Sequence, residues 1–461
     1  MSGTYAYHLR ETLRLALPAS LAQLGMMLMS VVDTAMVGRL GAAPLAAVAL
    51  GSSLFYAPFV LAMGIVNALD PMVSQSFGAR QLPRCGAILR SGVRVAIWLS
   101  LPLVLVVVAI SYALEPLGVN AEVARGAAAY MRVLAFGAPV MLATTALSNF
   151  LHGLGHTRPT LVAVVVANVA NVGLNWVLIY GNLGMPALGE LGSGVATVAC
   201  RLSMLVVLAW LVYGGRRFDD FAVRHTAEER RARGVSVDWA GVREMWRVGA
   251  PISGHLVSEV GMFSVVALMM GWLGARDVAS HQVALQLAAC AFMVTMGLGT
   301  AGSIRVGHAS GAGDRRGAAT AAWVAVGGAA CIMSVPALAF LLVPEQLAAI
   351  FTTDAAVQHG AARLLRIAAF FQLADGVQGV IAGCLRGAGD TGFPMRVHAL
   401  TSFVIALPLG AVLAFGLGFG AAGLWWGLTA GLCAAAALLL WRLRSGRWWG
   451  PLASVTQTST V

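Results

Sequence analysis

Residues 95–114 read VAIWLSLPLVLVVVAISYAL, a run without a single charged side chain. A helix needs about 20 predominantly apolar residues to cross a bilayer, and this run has that length. Its apolar residues are continuous and do not alternate with polar ones, which is typical of a membrane-spanning helix and not of a barrel strand. The stretch therefore predicts a transmembrane α-helix.

Eleven further stretches along the chain have the same character. The twelve predicted spans are residues 15–37, 45–69, 95–114, 127–151, 159–181, 193–213, 248–271, 278–303, 318–343, 362–385, 395–416 and 421–441. The sequence therefore predicts an all-α integral membrane protein with twelve transmembrane helices.

The composition agrees with this class and indicates an orientation. Of the 461 residues 59% are hydrophobic and only 11% charged, whereas a soluble domain carries about 25% charged residues. If the N-terminus is cytoplasmic, 23 of the 30 basic residues fall on the cytoplasmic side of the predicted spans. Arginine and lysine concentrate in cytoplasmic loops. We therefore predict that both termini are cytoplasmic, and that the net charge of +11 orients the spans and does not bind nucleic acid.

The two halves of the chain repeat one another. A shift of 233 aligns residues 17–79 with 250–312 without a gap, and a shift of 234 aligns 151–157 with 385–391. Each half has six predicted spans, an even number, so both halves enter the membrane from the same side. The repeat is therefore parallel, an architecture that is common among secondary transporters.

The repeat defines the predicted domain organisation as two pseudo-symmetric lobes. A six-helix lobe at 1–213 precedes a cytoplasmic inter-lobe loop at 214–247, a second six-helix lobe at 248–445 and a cytoplasmic tail at 446–461.

Five motifs carry a family resemblance. They are VDTAMVG at 32–38, SEV at 258–260, ASHQVA at 279–284, ADGVQ at 374–378 and GCLRGAGDT at 383–391. Together they resemble the multidrug and toxic compound extrusion (MATE) family, in its NorM-like bacterial branch. The resemblance implies two six-helix lobes forming a V-shaped cavity, a bacterial cytoplasmic (inner) membrane location, and cation-driven export of amphipathic organic cations.

Three carboxylates lie within predicted spans, where a charge costs about 2.5–3.5 kcal/mol on insertion scales and marks a functional site. Asp33 lies in the outer part of the first span, Glu259 about 16 Å along the seventh, and Asp375 at a similar depth in the tenth. The repeat places Val266, Met26 and Met141 at the equivalent positions of the other half. Alternatively, neighbouring polar groups neutralise these acids, which then serve packing alone.

Glu259 and Asp375 fall in the same lobe, and two carboxylates in one apolar lobe disfavour each other's ionisation. A bound cation relieves both charges, and Na⁺ prefers oxygen ligands of this kind. We therefore predict a cation-coupling site at Glu259 and Asp375, with Na⁺ or H⁺ as the coupling ion and Na⁺ as the metal that the two acids would hold. Asp33 is the third predicted coupling residue.

Polar residues near these acids are secondary candidates for ion or substrate binding. The resemblance suggests Asn171, Asn175 and Thr197 as partners of Asp33, and Asn175 stands where some members of the family have Asp. Such residues also serve as hydrogen-bonding glue between membrane helices. In the second lobe the candidates are Gln282 and Gln378.

Asp70, at the inner end of the second span, has two interpretations. It serves as a gate or, as we favour, as a solvated helix end.

Three classes of function remain open. The favoured class is a secondary active antiporter that exports organic-cation drugs and dyes in exchange for Na⁺ or H⁺ and works as a monomer in the bilayer. The alternative is a flippase for lipid-linked precursors in the same broad superfamily, although the charges near the middle of the spans are mainly acidic. The third is a channel or receptor. No catalytic motif points to an enzyme, and no cofactor beyond the coupling ion is expected.

The arginine distribution makes a prediction about topology. Reporter fusions near residues 225 and 455 should both be cytoplasmic, and one near residue 120 external, because arginine-rich loops are retained inside. Enzymatic reporters that are active on only one side of the membrane measure this. An external reporter at residue 225 would contradict the twelve-span topology.

Overall fold

The computed structural model of the chain describes residues 2–223 and 239–450, which are almost entirely helical. Its helices are α1 (Ser2–Gly38), α2 (Ala42–Val66), α3 (Leu69–Gly78), α4 (Leu82–Ala113), α5 (Ala121–Gly153), α6 (Arg158–Tyr180), α7 (Gly189–Tyr213), α8 (Trp239–Leu273), α9 (Ala275–Gly311), α10 (Arg315–Leu342), α11 (Pro344–Ala349), α12 (Ala355–Gly387), α13 (Gly392–Gly416) and α14 (Gly420–Ser445).

Within the described residues, twelve helices are long and apolar enough to cross a membrane, which confirms the predicted number. The short helix α3 continues the second span, and α11 is a short helix between α10 and α12. Several helices extend beyond the predicted apolar stretches: α1 begins at Ser2 and not at 15, and α4 at Leu82 and not at 95. Hydropathy detects only the apolar part of a helix, and these helices continue into polar sequence at their ends.

Contacts divide the chain into two compact units. The first unit is Leu21–Ser253, and the second unit is Met1–Ser20 together with Gly254–Val461. The units differ from the predicted lobes in that the first parts of α1 and α8 each group with the other half of the sequence. The predicted inter-lobe loop at 214–247 and the tail at 446–461 lie partly outside the described residues.

The first part of α1 is attached to α9 within the second unit. Nη1 of Arg305 donates hydrogen bonds to the carbonyl of His8 and to Oγ1 of Thr12, each at 2.6 Å. Oγ of Ser20 donates to the carbonyl of Val294 at 2.7 Å, about three turns from Arg305 along α9. These contacts account for the grouping of residues 1–20 with the second half of the chain.

The same contact recurs within the first unit, with the roles of the two halves exchanged. Oγ of Ser253 on α8 donates to the carbonyl of Leu61 on α2 at 2.7 Å. Each residue of this pair lies 233 positions from its counterpart in the other contact: Ser253 corresponds to Ser20, and Leu61 corresponds to Val294. The sequence repeat is therefore reproduced as a repeated helix–helix contact.

Small residues allow helices to approach closely at positions that matter for the buried acids. In α12 a Cβ added at Gly383 would lie 2.5 Å from the carbonyl oxygen of Gly299 on α9. Membrane helices commonly pack through small residues of this kind. Of the twelve spans, α12 is the most buried, with 78% of its central window inside the protein. It carries Asp375, which is thereby kept away from lipid.

The repeated contact makes a prediction about stability. Gly64 faces Ser253, and a Cβ at Gly64 would lie 2.5 Å from the Cα of Ser253; Gly297 faces Ser20 in the same way. Gly64→Ala and Gly297→Ala should each destabilise the protein by about 1–3 kcal/mol through overpacking. The midpoint of thermal unfolding in detergent measures this.

Gly327→Ala is the matched control, because a Cβ there meets nothing within 4 Å. It should leave the midpoint unchanged or raise it, since alanine favours helix over glycine. Equal midpoints for all three variants would show that the contact is not tightly packed.

Candidate functional site

Asp33 on α1 is buried, with 6% of its surface exposed, and is surrounded by hydrogen-bond donors. Its Oδ1 accepts hydrogen bonds from Nδ2 of Asn171 at 2.8 Å and from Nδ2 of Asn175 at 2.6 Å. Its Oδ2 accepts one from Oγ1 of Thr197 at 2.9 Å. The structure thus brings together all four residues proposed for the first lobe, which we call the Asp33 cluster.

Helix geometry explains how distant parts of the sequence meet at Asp33. Asn171 and Asn175 are four residues apart on α6 and therefore lie on one face, and both are fully buried. Thr197 reaches the carboxylate from α7. Asn168, one turn earlier on α6, does not join the cluster: its amide donates to the carbonyl of Gly25 at 3.0 Å and so links α6 to α1.

The second acidic group, which we call the Glu259 cluster, consists of Glu259 on α8 with Asp375 and Gln378 on α12. Nε2 of Gln378 donates a hydrogen bond to Oδ1 of Asp375 at 3.2 Å. The carboxylate of Glu259 contacts the side-chain amide of Gln378 and lies in the electrostatic fields of Asp375 and Arg386. The structure therefore brings together the two acids and one of the two glutamines expected in the second lobe.

The two clusters differ in how many hydrogen bonds their aspartate carboxylates accept. Asp33 accepts three hydrogen bonds, whereas Asp375 accepts one from the side chains that the structure describes. One amide oxygen in each cluster, Oδ1 of Asn175 and Oε1 of Gln378, is buried and has no partner in that part of the chain. Buried polar atoms normally have partners, so these oxygens are suited to a hard cation.

A resident metal centre has a different donor set. Within residues 2–223 and 239–450, no group of three or more His, Cys, Asp or Glu side chains could hold a metal ion.

Two histidines adjoin the Glu259 cluster and were missed by sequence reasoning. Nε2 of His255 lies 3.8 Å from Oε2 of Glu259, one turn away on α8. The ring of His255 stacks on that of His398 with centroids 4.1 Å apart. The i,i+4 spacing of His255 and Glu259 was a usable signal, but nothing in the sequence indicated the approach of His398 from α13.

Two of the secondary candidates lie outside both clusters. Asp70 is buried, with 7% exposure, in the first turn of α3, so the solvated helix end that we favoured for it is wrong. Gln282 is exposed, and no contact in the described part of the chain joins it to Glu259 or Asp375. Its neighbour His281 is buried instead and accepts a hydrogen bond from Nε1 of Trp425 at 3.2 Å.

Two solved structures of MATE transporters have the same fold. The eukaryotic MATE transporter AtDTX14 superposes with a TM-score of 0.86 at 20% identity, covering 99% of this chain and 98% of that one. A multidrug resistance MATE family transporter of the MOP superfamily, in an outward-facing conformation, superposes with a TM-score of 0.85 at 22% identity, covering 95% and 97%.

Two further relatives share a higher sequence identity with the chain than these solved structures do. The chain is 36% identical over 438 residues to a probable multidrug resistance protein NorM of Bradyrhizobium diazoefficiens, covering 94% of this chain and 92% of that protein. It is also 36% identical over 445 residues to the multidrug resistance protein NorM of Burkholderia vietnamiensis, covering 94% and 93%.

The family model described as MatE matches the chain twice, at residues 18–177 and 251–412. The two matches begin 233 residues apart, which agrees with the internal repeat. Twelve candidate spans make the chain a multi-pass membrane protein. It belongs to the MatE family, in the bacterial NorM-like branch.

Proposed function

We propose that this chain exports amphipathic organic cations across the bacterial inner membrane in exchange for Na⁺ or H⁺. The observation that carries the proposal is the Glu259 cluster, where two carboxylates of predicted spans share Gln378 and Glu259 lies in the electrostatic field of Asp375. The relatives named multidrug resistance protein NorM support the export of drugs as the biological role.

The coupling step follows from the chemistry of two neighbouring acids. Each carboxylate disfavours ionisation of the other, and a bound cation or proton relieves both. Exchange requires that the cation and the drug favour opposite members of one conformational equilibrium. Glu259 and Asp375 would bind the coupling ion in one state and release it in the other, with Gln378 as an additional oxygen ligand.

The substrate charge follows from the same groups. Acidic side chains in a low-dielectric environment attract cations and repel anions. Asp33 adds a third carboxylate, which would act on drug or proton binding in the first unit. A flippase for anionic lipid-linked precursors is less well supported, because such a substrate needs basic groups where these acids stand.

The proposal also covers the membrane, the orientation, the oligomeric state and the partners of the chain. The chain would lie in the cytoplasmic membrane with both termini inside, work as a monomer, and need no partner besides lipid, drug and ion.

The first functional prediction concerns coupling. Glu259→Gln and Asp375→Asn keep the side-chain shape but remove the charge that holds the ion. In proteoliposomes, each should reduce ethidium transport driven by a Na⁺ or pH gradient by at least about tenfold, a typical size for a coupling energy. The double variant should add little to either single one, because both changes remove the same site.

Glu122→Gln is the matched control, since Glu122 is exposed in the first turn of α5. It should transport ethidium at the wild-type rate. If Glu259→Gln and Asp375→Asn also transported at the wild-type rate in both gradients, the proposed coupling site would be wrong.

The second functional prediction concerns substrate charge. Cells that express the protein should accumulate less ethidium than control cells and should tolerate lipophilic cationic dyes better, because acids select cations. Fluorescence accumulation assays with cationic and anionic dyes of similar size measure this. Protection confined to the anionic dyes would contradict the proposal.

A further inference from the structure

Four exposed arginines lie at one end of the second unit. Arg315 and Arg316 begin α10, and Arg444 and Arg447 lie at the end of α14 and just after it. In the described residues, none of these four guanidinium groups forms an ion pair. The acid next to them in the sequence, Asp314, caps α10, because its Oδ1 accepts a hydrogen bond from a backbone N–H of the first turn at 2.8 Å. This end of the unit therefore carries positive charge that the described residues do not neutralise.

Two tryptophan rings restrain two of these arginines. The guanidinium carbon of Arg444 lies over the ring of Trp323 on α10, and that of Arg447 lies over the ring of Trp441 on α14, each 6.0 Å from the ring centroid. A guanidinium and an aromatic ring attract one another at this distance. A guanidinium stacks through its flat face, so the N–H groups at its edge can still donate paired hydrogen bonds to a phosphate.

The contact between α10 and α14 brings arginines of both helices to one place. The chain leaves α14 through Gly446, whose φ is 64°, and Nε1 of Trp448 then donates a hydrogen bond to the carbonyl of Leu443 at 2.8 Å. A Cβ added at Gly446 would lie 2.9 Å from Nη2 of Arg315. Arg315 thus reaches α14 two residues beyond Arg444, and Arg444 in turn reaches α10 at Trp323. We call Arg315, Trp323, Arg444 and Gly446 the α10–α14 junction.

The junction lies where apolar sequence ends. Trp441 is the last residue of the predicted span 421–441, and Arg315 precedes the predicted span 318–343 by three residues. Both Trp441 and Trp323 are exposed, by 52% and 39%. Tryptophan is enriched at the headgroup level of a bilayer, and basic pockets between transmembrane helices bind anionic headgroups. The anion that is present at this level is the phosphate of a phospholipid.

We propose that the α10–α14 junction is a binding site for the headgroup of an anionic phospholipid. Arg315 and Arg444 donate hydrogen bonds to the phosphate, and the exposed Trp323 ring lies against the apolar part of the same lipid. Because one arginine comes from each helix, the lipid bridges α10 and α14. The site belongs to the second unit alone and is independent of the acids assigned to coupling.

The test measures lipid binding to the full chain in a neutral detergent, where no charged bilayer surface attracts arginines in general. Phosphatidylglycerol and phosphatidylcholine are titrated separately, and native mass spectrometry counts the lipids retained. The wild-type protein should bind phosphatidylglycerol more tightly, because the choline group compensates the phosphate charge. Arg315→Gln and Arg444→Gln should each weaken its binding about fivefold, and the double variant about thirtyfold. Equal affinity of the wild-type protein for the two lipids, or wild-type affinity of the double variant for phosphatidylglycerol, overturns the inference.

Arg396→Gln is the matched control for loss of one exposed arginine at the same end of the unit. Arg396 lies in the first turns of α13, where its Nε donates to the carbonyl of Gly392 at 3.2 Å. The segment just before α13 contacts the end of α14, since Nε of Arg442 lies 2.8 Å from Oδ2 of Asp390. The control should keep the wild-type affinity for phosphatidylglycerol. A loss equal to that in Arg444→Gln would overturn the inference, because net charge alone would then explain the binding.

A second arm of the experiment separates a lipid from free phosphate. Inorganic phosphate in large excess should displace little of the bound phosphatidylglycerol, because it lacks the acyl chains that lie against Trp323. Full displacement by inorganic phosphate would overturn the assignment to a lipid. These measurements involve no transport, so a failure here is distinct from a failure of the proposed cation-coupled export, which would appear in the ethidium assays.

Discussion

A carboxylate inside a bundle of apolar helices has to be compensated by groups that the protein itself supplies, and much of the architecture follows from this requirement. Asp33 is compensated by three donated hydrogen bonds from two other helices. Asp375 is kept from lipid by its place on the most buried span, and it accepts one hydrogen bond from the described side chains. The aspartates of the two clusters satisfy the same constraint to different degrees, since Asp375 accepts fewer hydrogen bonds than Asp33.

The scaffold that holds the clusters is duplicated, but the charges are not. The contacts of Ser20 with Val294 and of Ser253 with Leu61 have the same length of 2.7 Å and are related by the repeat. The acids themselves have no acidic counterparts, since Asp33 corresponds to Val266 and Glu259 to Met26. Duplication thus provided two similar helical supports, while their chemistry differs between the halves. The two halves can have different functions only if their side chains differ in this way.

Local sequence was sufficient to predict the spans, and the family resemblance supplied the first-unit cluster. Hydropathy over about 20 residues depends on the bilayer and not on tertiary contacts, so all twelve spans were found. Asn171 and Asn175 were assigned to Asp33 through the family resemblance, and their four-residue spacing agrees with the geometry found. The structure joins them to Asp33 as the resemblance implied.

The periodicity of the sequence could not predict contacts between distant spans. The stacking of His398 on His255 depends on how α13 packs against α8, which no spacing along the chain encodes. Asp70 looked solvated because it is near the end of an apolar run, but α3 continues the span and buries it. Gln282 lies one residue from the buried His281, and a single position along a helix turns a side chain by about 100°, which exposes Gln282. Each of these outcomes depends on helix rotation or helix pairing.

Competition between ion and drug tests the central claim, that the Glu259 cluster is the exchange site, most directly. Ethidium binding to the purified protein can be titrated at increasing Na⁺ and at decreasing pH, and linkage requires that the ion weaken drug binding wherever the two exchange. We predict that at least one of the two cations weakens ethidium binding to the wild-type protein and to Asp33→Asn. The same cation should have no effect on Glu259→Gln combined with Asp375→Asn. Cation sensitivity that survives in this double variant, or that is lost in Asp33→Asn alone, would contradict the account.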